Sequence, residues 1–105
     1  MASSKDFLEF VMEQIAGLGE VASRPMMGEY VIYYRGKVVG GVYDNRFLLK
    51  NTASARALLI NEGRPVQTDV PYPGAKGMLV ADVDDRDLTC RVIRAIWNDL
   101  PEPNG

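Results

Sequence analysis

The chain has 105 residues, of which 47% are hydrophobic and 25% charged, with a net charge of −2; this gives one domain with a real core and excludes both disorder and two ordinary domains. Its 12 basic and 14 acidic side chains are scattered, with no basic run, so neither a nucleic-acid tail nor a polybasic membrane anchor is expected. Histidine is absent and Cys90 is the single cysteine, which excludes imidazole bases, imidazole triads and an internal disulfide, and points to a reducing, cytoplasmic compartment. No apolar run approaches the roughly 20 residues that span a bilayer, and no charged-then-apolar leader opens the chain, so no membrane partner is expected.

In chain order, Ser3 and Ser4 stand before a periodic stretch and can accept from the free N–H groups of a first helical turn, with Asp6 suited to the helix dipole. Phe7, Leu8, Val11, Met12, Ile15 and Leu18 share one face at helical spacing, and Gly17 and Gly19 end the run, predicting a helix over 4–18. Residues 20–27 read as a short extended piece, with Pro25 confined to an edge or bulge. Strands are predicted at 29–34, 37–43 and 46–50, joined by two-residue turns at Arg35-Gly36 and Asp44-Asn45, where Gly, Asn and Asp tolerate positive φ. Gly40-Gly41 in mid-strand marks a bulge or a close approach of another backbone.

Alternation assigns Val31, Tyr33, Val38, Gly40, Val42, Phe47 and Leu49 to a charge-free face under the helices. Tyr30, Ile32, Tyr34, Lys37, Val39, Gly41, Tyr43, Arg46, Leu48 and Lys50 fall on the other. A one-residue slip at the first turn would exchange the first strand's contribution.

A second helix is predicted over 53–62, capped by Thr52 or Ser54 and closed by Gly63 and Pro65. A strand over 66–70, a Pro/Gly loop at 71–77 and a strand over 78–83 follow. Asp84 or Asp85 then caps a last helix through Leu100, with Leu88, Val92, Ile93, Ile96, Trp97 and Leu100 as its apolar face. The order α-β-β-β-α-β-β-α is that of an α+β, two-layer sandwich with a mostly antiparallel sheet. One domain over 4–100 and a flexible tail over 101–105 complete the reading.

No catalytic, cofactor or metal residues emerge. Asp82, Asp84, Asp85 and Asp87 do not keep the spacing of a calcium loop and suit a helix N-terminus. Cys90 has no histidine to activate it and reads as structural. No glycine pattern forms a phosphate loop. The second sheet face is the open question. Its tyrosines Tyr30, Tyr34 and Tyr43 with Lys37, Arg46 and Lys50 resemble a surface on which single-stranded nucleic acid stacks. Its Ile32, Val39 and Leu48 fit equally a homodimer or protein-partner interface, with lysines at the rim, or an ordinary solvated face.

Two stretches carry a resemblance: Arg24-Pro25-Met26-Met27-Gly28-Glu29-Tyr30, and Tyr43-Asp44-Asn45-Arg46-Phe47-Leu48-Leu49-Lys50 after a hairpin. Together with helices at 56–65 and 84–101 they resemble the TfoX/Sxy N-terminal domain over nearly the whole chain. Met27 and Glu29 stand where that family often has aromatic and glycine residues. The resemblance implies a secretion-chaperone-like α-β3-α-β2-α sandwich. It also implies a non-enzymatic regulatory module, since family members include transcriptional regulators of competence; those regulators carry a further helical C-terminal domain, whereas this chain stops at Gly105. The expected contact residues are Arg24, Met26, Met27, Gly28 and Tyr30 leading into the strand, with the Tyr/basic face beside them. Direct nucleic-acid binding by that face is the alternative, and a small enzyme or ligand-binding protein with its site around 72–76 a third.

Overall fold

The computed structural model describes residues 3–102. Helix α1 (Lys5–Gln14) starts where the Ser4 hydroxyl accepts from the Phe7 N–H at 3.1 Å, and it ends in a single 3-10 turn, Ala16–Leu18, so the predicted helix is shorter than 4–18. Strands β1 (Val21–Met26), β2 (Glu29–Tyr34), β3 (Lys37–Tyr43) and β4 (Arg46–Leu49) follow as a meander. Helix α2 (Ala53–Asn61), capped by Thr52, leads to the short strands β5 (Thr68–Asp69) and β6 (Met78–Val80), and α3 (Arg86–Asp99), capped by Asp85, closes the fold. The six strands form one antiparallel sheet in the order β1-β2-β3-β4-β6-β5. The α+β architecture and element order are as the sequence predicts, and the extended piece before the meander is its edge strand. Pro101 and Glu102 carry no regular structure and are exposed; residues 103–105 of the predicted tail lie outside the described residues.

Three consecutive hairpins turn through two residues with positive φ, which matches the right-handed twist of the flanking strands. They are Met27-Gly28 (52° and 86°), Arg35-Gly36 (47° and 81°) and Asp44-Asn45 (50° and 56°). The second and third are the predicted turns. The first is unannounced, because methionine has no preference for this backbone region.

All three helices lie on one sheet face. Leu8 and Val11 of α1 with Ile15 at its C-cap, Ala55 and Leu59 of α2, and Leu88, Val92, Ile93 and Ile96 of α3 share a core with Ile32, Tyr34, Val39, Val42, Phe47 and Leu49. The predicted faces therefore need correction. Val42, Phe47 and Leu49 lie under the helices as expected, but Ile32, Tyr34 and Val39 join them, while Val31, Tyr33 and Val38 lie on the other face. The cause is a bulge in β3: Ile32 pairs with Gly40, yet Tyr33 pairs with Val38, leaving Val39 as the extra residue. One inserted residue reverses the side-chain parity on the near side of the bulge. The glycines make the close approach possible. A Cβ on Gly40 would collide with the Leu48 carbonyl, and one on Gly41 would lie 2.6 Å from the Tyr43 ring and 2.7 Å from the Tyr30 carbonyl.

Candidate interaction surface

The residues expected to share one surface are divided between two faces and two ends of the sheet. Lys37 is the clearest case. Its side chain runs beneath the C-terminus of α3, where Nζ donates to the Trp97 carbonyl at 3.1 Å and the Leu100 carbonyl at 3.0 Å and stands 3.8 Å from the centre of the Trp97 ring. These carbonyls lie where a helix end leaves acceptor capacity over, the Trp97 carbonyl taking the Leu100 N–H at 3.3 Å as well, and a cation there also meets the negative end of the dipole. Tyr34 packs edge-on against Trp97, with ring centres 6.2 Å apart, and is buried. Tyr30 is half-buried against the core. Leu48 lies on the outer face opposite Gly41, but it is fully buried. The stacking platform of three tyrosines and three cations is therefore not assembled. Tyr34, Lys37 and Leu48 are also unavailable to a partner in the folded chain.

What remains outside is organised around Arg46. From the outer face of β4 its guanidinium donates to the Asp69 carboxylate at 2.6 Å, the Val70 carbonyl at 3.0 Å and the Pro71 carbonyl at 3.5 Å. This clasp draws loop 70–77 across the sheet and holds the Asp69 carboxyl below the usual carboxylate range. Tyr43 leans back over Gly41, and burial pushes its phenol up, helped by Tyr72 and Glu29 nearby. Lys50 is half-buried, with its N–H donated to the Val39 carbonyl.

A shallow groove of about 920 Å³ lies between this loop and the Met27-Gly28 turn. Met26, Met27, Val70 and Tyr72 give it an apolar lining, and their exposure is 50%, 99%, 38% and 63% respectively. Glu29, Asp44 and Asp69 border it, against the single cation Arg46. Arg24, across β1, sits 6.0 Å over the Tyr33 ring.

Glu29 also fixes the groove's wall. Its carboxylate accepts from the Ser3 N–H at 2.9 Å, the Ser3 hydroxyl at 2.6 Å and the Asp44 N–H at 2.8 Å, while Ser3 Oγ accepts from the Asn45 N–H at 3.0 Å. The chain start and two hairpin tips are thus tied through one carboxylate. Spacing and alternation do not announce this role; its one trace is an acid in place of a frequent glycine. Gly28 contributes backbone alone, its carbonyl accepting from Ser3.

The remaining candidates have local explanations. Asp85 caps α3, and with Asp82 it holds Arg64. Cys90 is buried beside the Gln14 carbonyl, and burial pushes its thiol up. Among the described residues no three His, Cys, Asp or Glu side chains converge as metal ligands, and no helix is long and apolar enough to cross a membrane. The ligand site expected around 72–76 is the open groove just described, not an enclosed pocket.

Residues 13–99 match the family model of the TfoX N-terminal domain. Over 98% of its length the chain is 36% identical to an uncharacterized 12.7 kDa protein in the trpE 5′ region of Spirochaeta aurantia, and the match covers 88% of that protein.

Proposed function

Because the chain belongs to the TfoX N-terminal domain family, we propose that it is a non-enzymatic regulatory module. It works by receiving a segment of another protein in the groove between the Met27 turn and loop 70–77. The observation that carries this reading is Met27. Its side chain is 99% exposed on a backbone at φ 52°, a conformation that costs a side-chain-bearing residue about 1–2 kcal/mol. An apolar residue held in an unfavourable conformation and left in water is a common mark of a contact site. Methionines adapt their shape to a range of apolar partners.

The charge around the groove sets the partner's chemistry. Glu29, Asp44 and Asp69 outnumber Arg46, so the fitting segment presents an apolar side chain flanked by Lys or Arg. Two copies of this chain meeting groove to groove would bring the carboxylates together, which favours a different protein over the homodimer that the sequence also allows.

Selection of short displayed peptides on the folded domain tests this. Enriched peptides should pair Leu, Met or Phe with Lys or Arg, and should bind Met27→Asp at least about tenfold more weakly, a difference of 1.4 kcal/mol. Peptides that bind Met27→Asp equally well would overturn the assignment. A sedimentation dimer lost in Met27→Asp would give the groove to a second copy instead.

A further inference from the structure

On the helical side of the sheet a second cleft opens where the end of α2, strands β4 and β6 and the first half of α3 meet. Its volume is about 320 Å³. The floor is made by Leu49, Leu59, Leu79, Leu88 and Val92, all of them buried. Protein interiors seldom leave a void larger than a water molecule, and a dry cavity of about 150 Å³ lined by such side chains takes up benzene. Twice that volume, at the lower end of small-molecule pockets, has room for an apolar body of about a dozen heavy atoms.

The mouth is polar and its charge is one-sided. Arg64 Nη1 donates to Asp85 and Nη2 to Asp82, both at 2.8 Å, so its charge is already spent. Asp84, which also lines the mouth, forms no ion pair among the described residues. An anionic headgroup would find the one cation occupied and the carboxylates of Asp82 and Asp84 in the lining. A cationic headgroup would find Asp84 unpaired. The Thr89 hydroxyl is committed as well, donating to the Asp82 carbonyl at 2.8 Å.

We propose that this cleft binds a small amine with an aromatic or branched apolar body, the body lying on the leucine floor and the ammonium pairing with Asp84. The site lies on the opposite face of the sheet from the Met27 groove, and its assignment is independent of that one.

Titration of the ¹³C-methyl-labelled protein with tryptamine, indole and indole-3-acetate tests it, since the three share a ring system and differ in charge. Tryptamine should give saturable shifts at the Leu59, Leu79, Leu88 and Val92 methyls and bind at least about tenfold more tightly than indole-3-acetate. Asp84 is exposed, so Asp84→Asn should fold normally and reduce tryptamine to the affinity of indole. Three outcomes would each overturn the proposal: no saturable shift at these methyls with any of the probes, shifts confined to Met26 and Met27, or tryptamine binding no tighter than indole in the unaltered protein.

Discussion

At one end of the β2–β3 hairpin, Lys37, Tyr34 and Trp97 close over one another; at the other, Met27 and Tyr72 stand in water. In the sequence both ends show the same mixture of aromatic, apolar and basic residues. They differ in what lies above them. The C-terminus of α3 reaches the first end and brings two carbonyls with lone pairs to spare, so a lysine that reads as a surface cation becomes a buried one with acceptors for its protons. At the second only the N-terminal cap of α1 arrives, with Ser3 and Ser4 already spent on Gly28, Glu29 and Asn45, and there the loop clasped by Arg46 leaves an open groove. A basic residue beside aromatics is thus a binding feature only where nothing in the same chain satisfies it.

The largest expected effect is at the closed end. Lys37→Glu would place a carboxylate against two carbonyls and the face of Trp97, and it should cost about 3–5 kcal/mol of stability, the range for leaving a buried charge uncompensated. Lys37→Met keeps most of the stem's packing and loses the charged hydrogen bonds, so its cost should be about 1.5–3 kcal/mol. Urea unfolding measures both. An unchanged midpoint for Lys37→Glu would mean that the ammonium does not hold the end of α3. The same result changes how weak binding by a Lys37 variant is to be read, since the variant loses fold before it loses surface.

Much of the architecture was legible because its signals are local. Two turns carry Gly or Asn at positive φ, three helix starts carry Ser, Thr or Asp caps, and the helical stripes are amphipathic. The sheet faces were less legible for a physical reason. Residues 30–34, Tyr-Val-Ile-Tyr-Tyr, are apolar or aromatic at every position, so no alternation fixes which face they present, and the bulge at Val39 then decides it. Gly40-Gly41 announced an irregularity without saying how it would shift the parity. The groove was half legible. Met26, Met27, Tyr43 and Arg46 were candidate contact residues, but their meeting with Val70 and Tyr72 depends on three hydrogen bonds from Arg46 across more than 20 positions. Spacing does not encode such a contact.

A smaller effect is expected at the open end, where Arg46→Ala should release loop 70–77 and leave the core in place. Amide hydrogens in the loop should exchange about tenfold faster while those of β2 and β3 keep their protection. The clasp is also pH-dependent. Arg46 lowers the Asp69 carboxyl from its ordinary 3.8, so the contribution is complete above that value and is lost as pH falls through the lowered one. In Arg46→Ala the loop's protection, corrected for intrinsic exchange, should depend less on pH in that window, since only the Val70 N–H bond to Asp69 at 2.8 Å is left. A loop equally protected in both proteins would show that the groove's wall stands without the clasp.

The smallest effect is the most discriminating between the ends, because Met27 and Arg35 occupy the same position of matching turns, at φ 52° and 47°. Met27→Gly removes the side chain that makes this backbone unfavourable, by about 1–2 kcal/mol, and gives back about 0.5–1 kcal/mol through the freer unfolded chain. The net should be a gain of about 0.5 kcal/mol, accompanied by weaker binding of the selected peptides. Arg35→Gly relieves the same conformation, but it also removes a guanidinium 4.9 Å over the Trp97 ring and the contact with Glu20 at 3.7 Å. There the gain should vanish or reverse. Stability that rises with loss of binding at Met27, and fails to rise at Arg35, is what separates an apolar residue kept for a partner from a cation kept for the fold. If Met27→Gly is neutral or destabilising, the methionine contributes to the isolated chain, and its exposure no longer argues for a second protein.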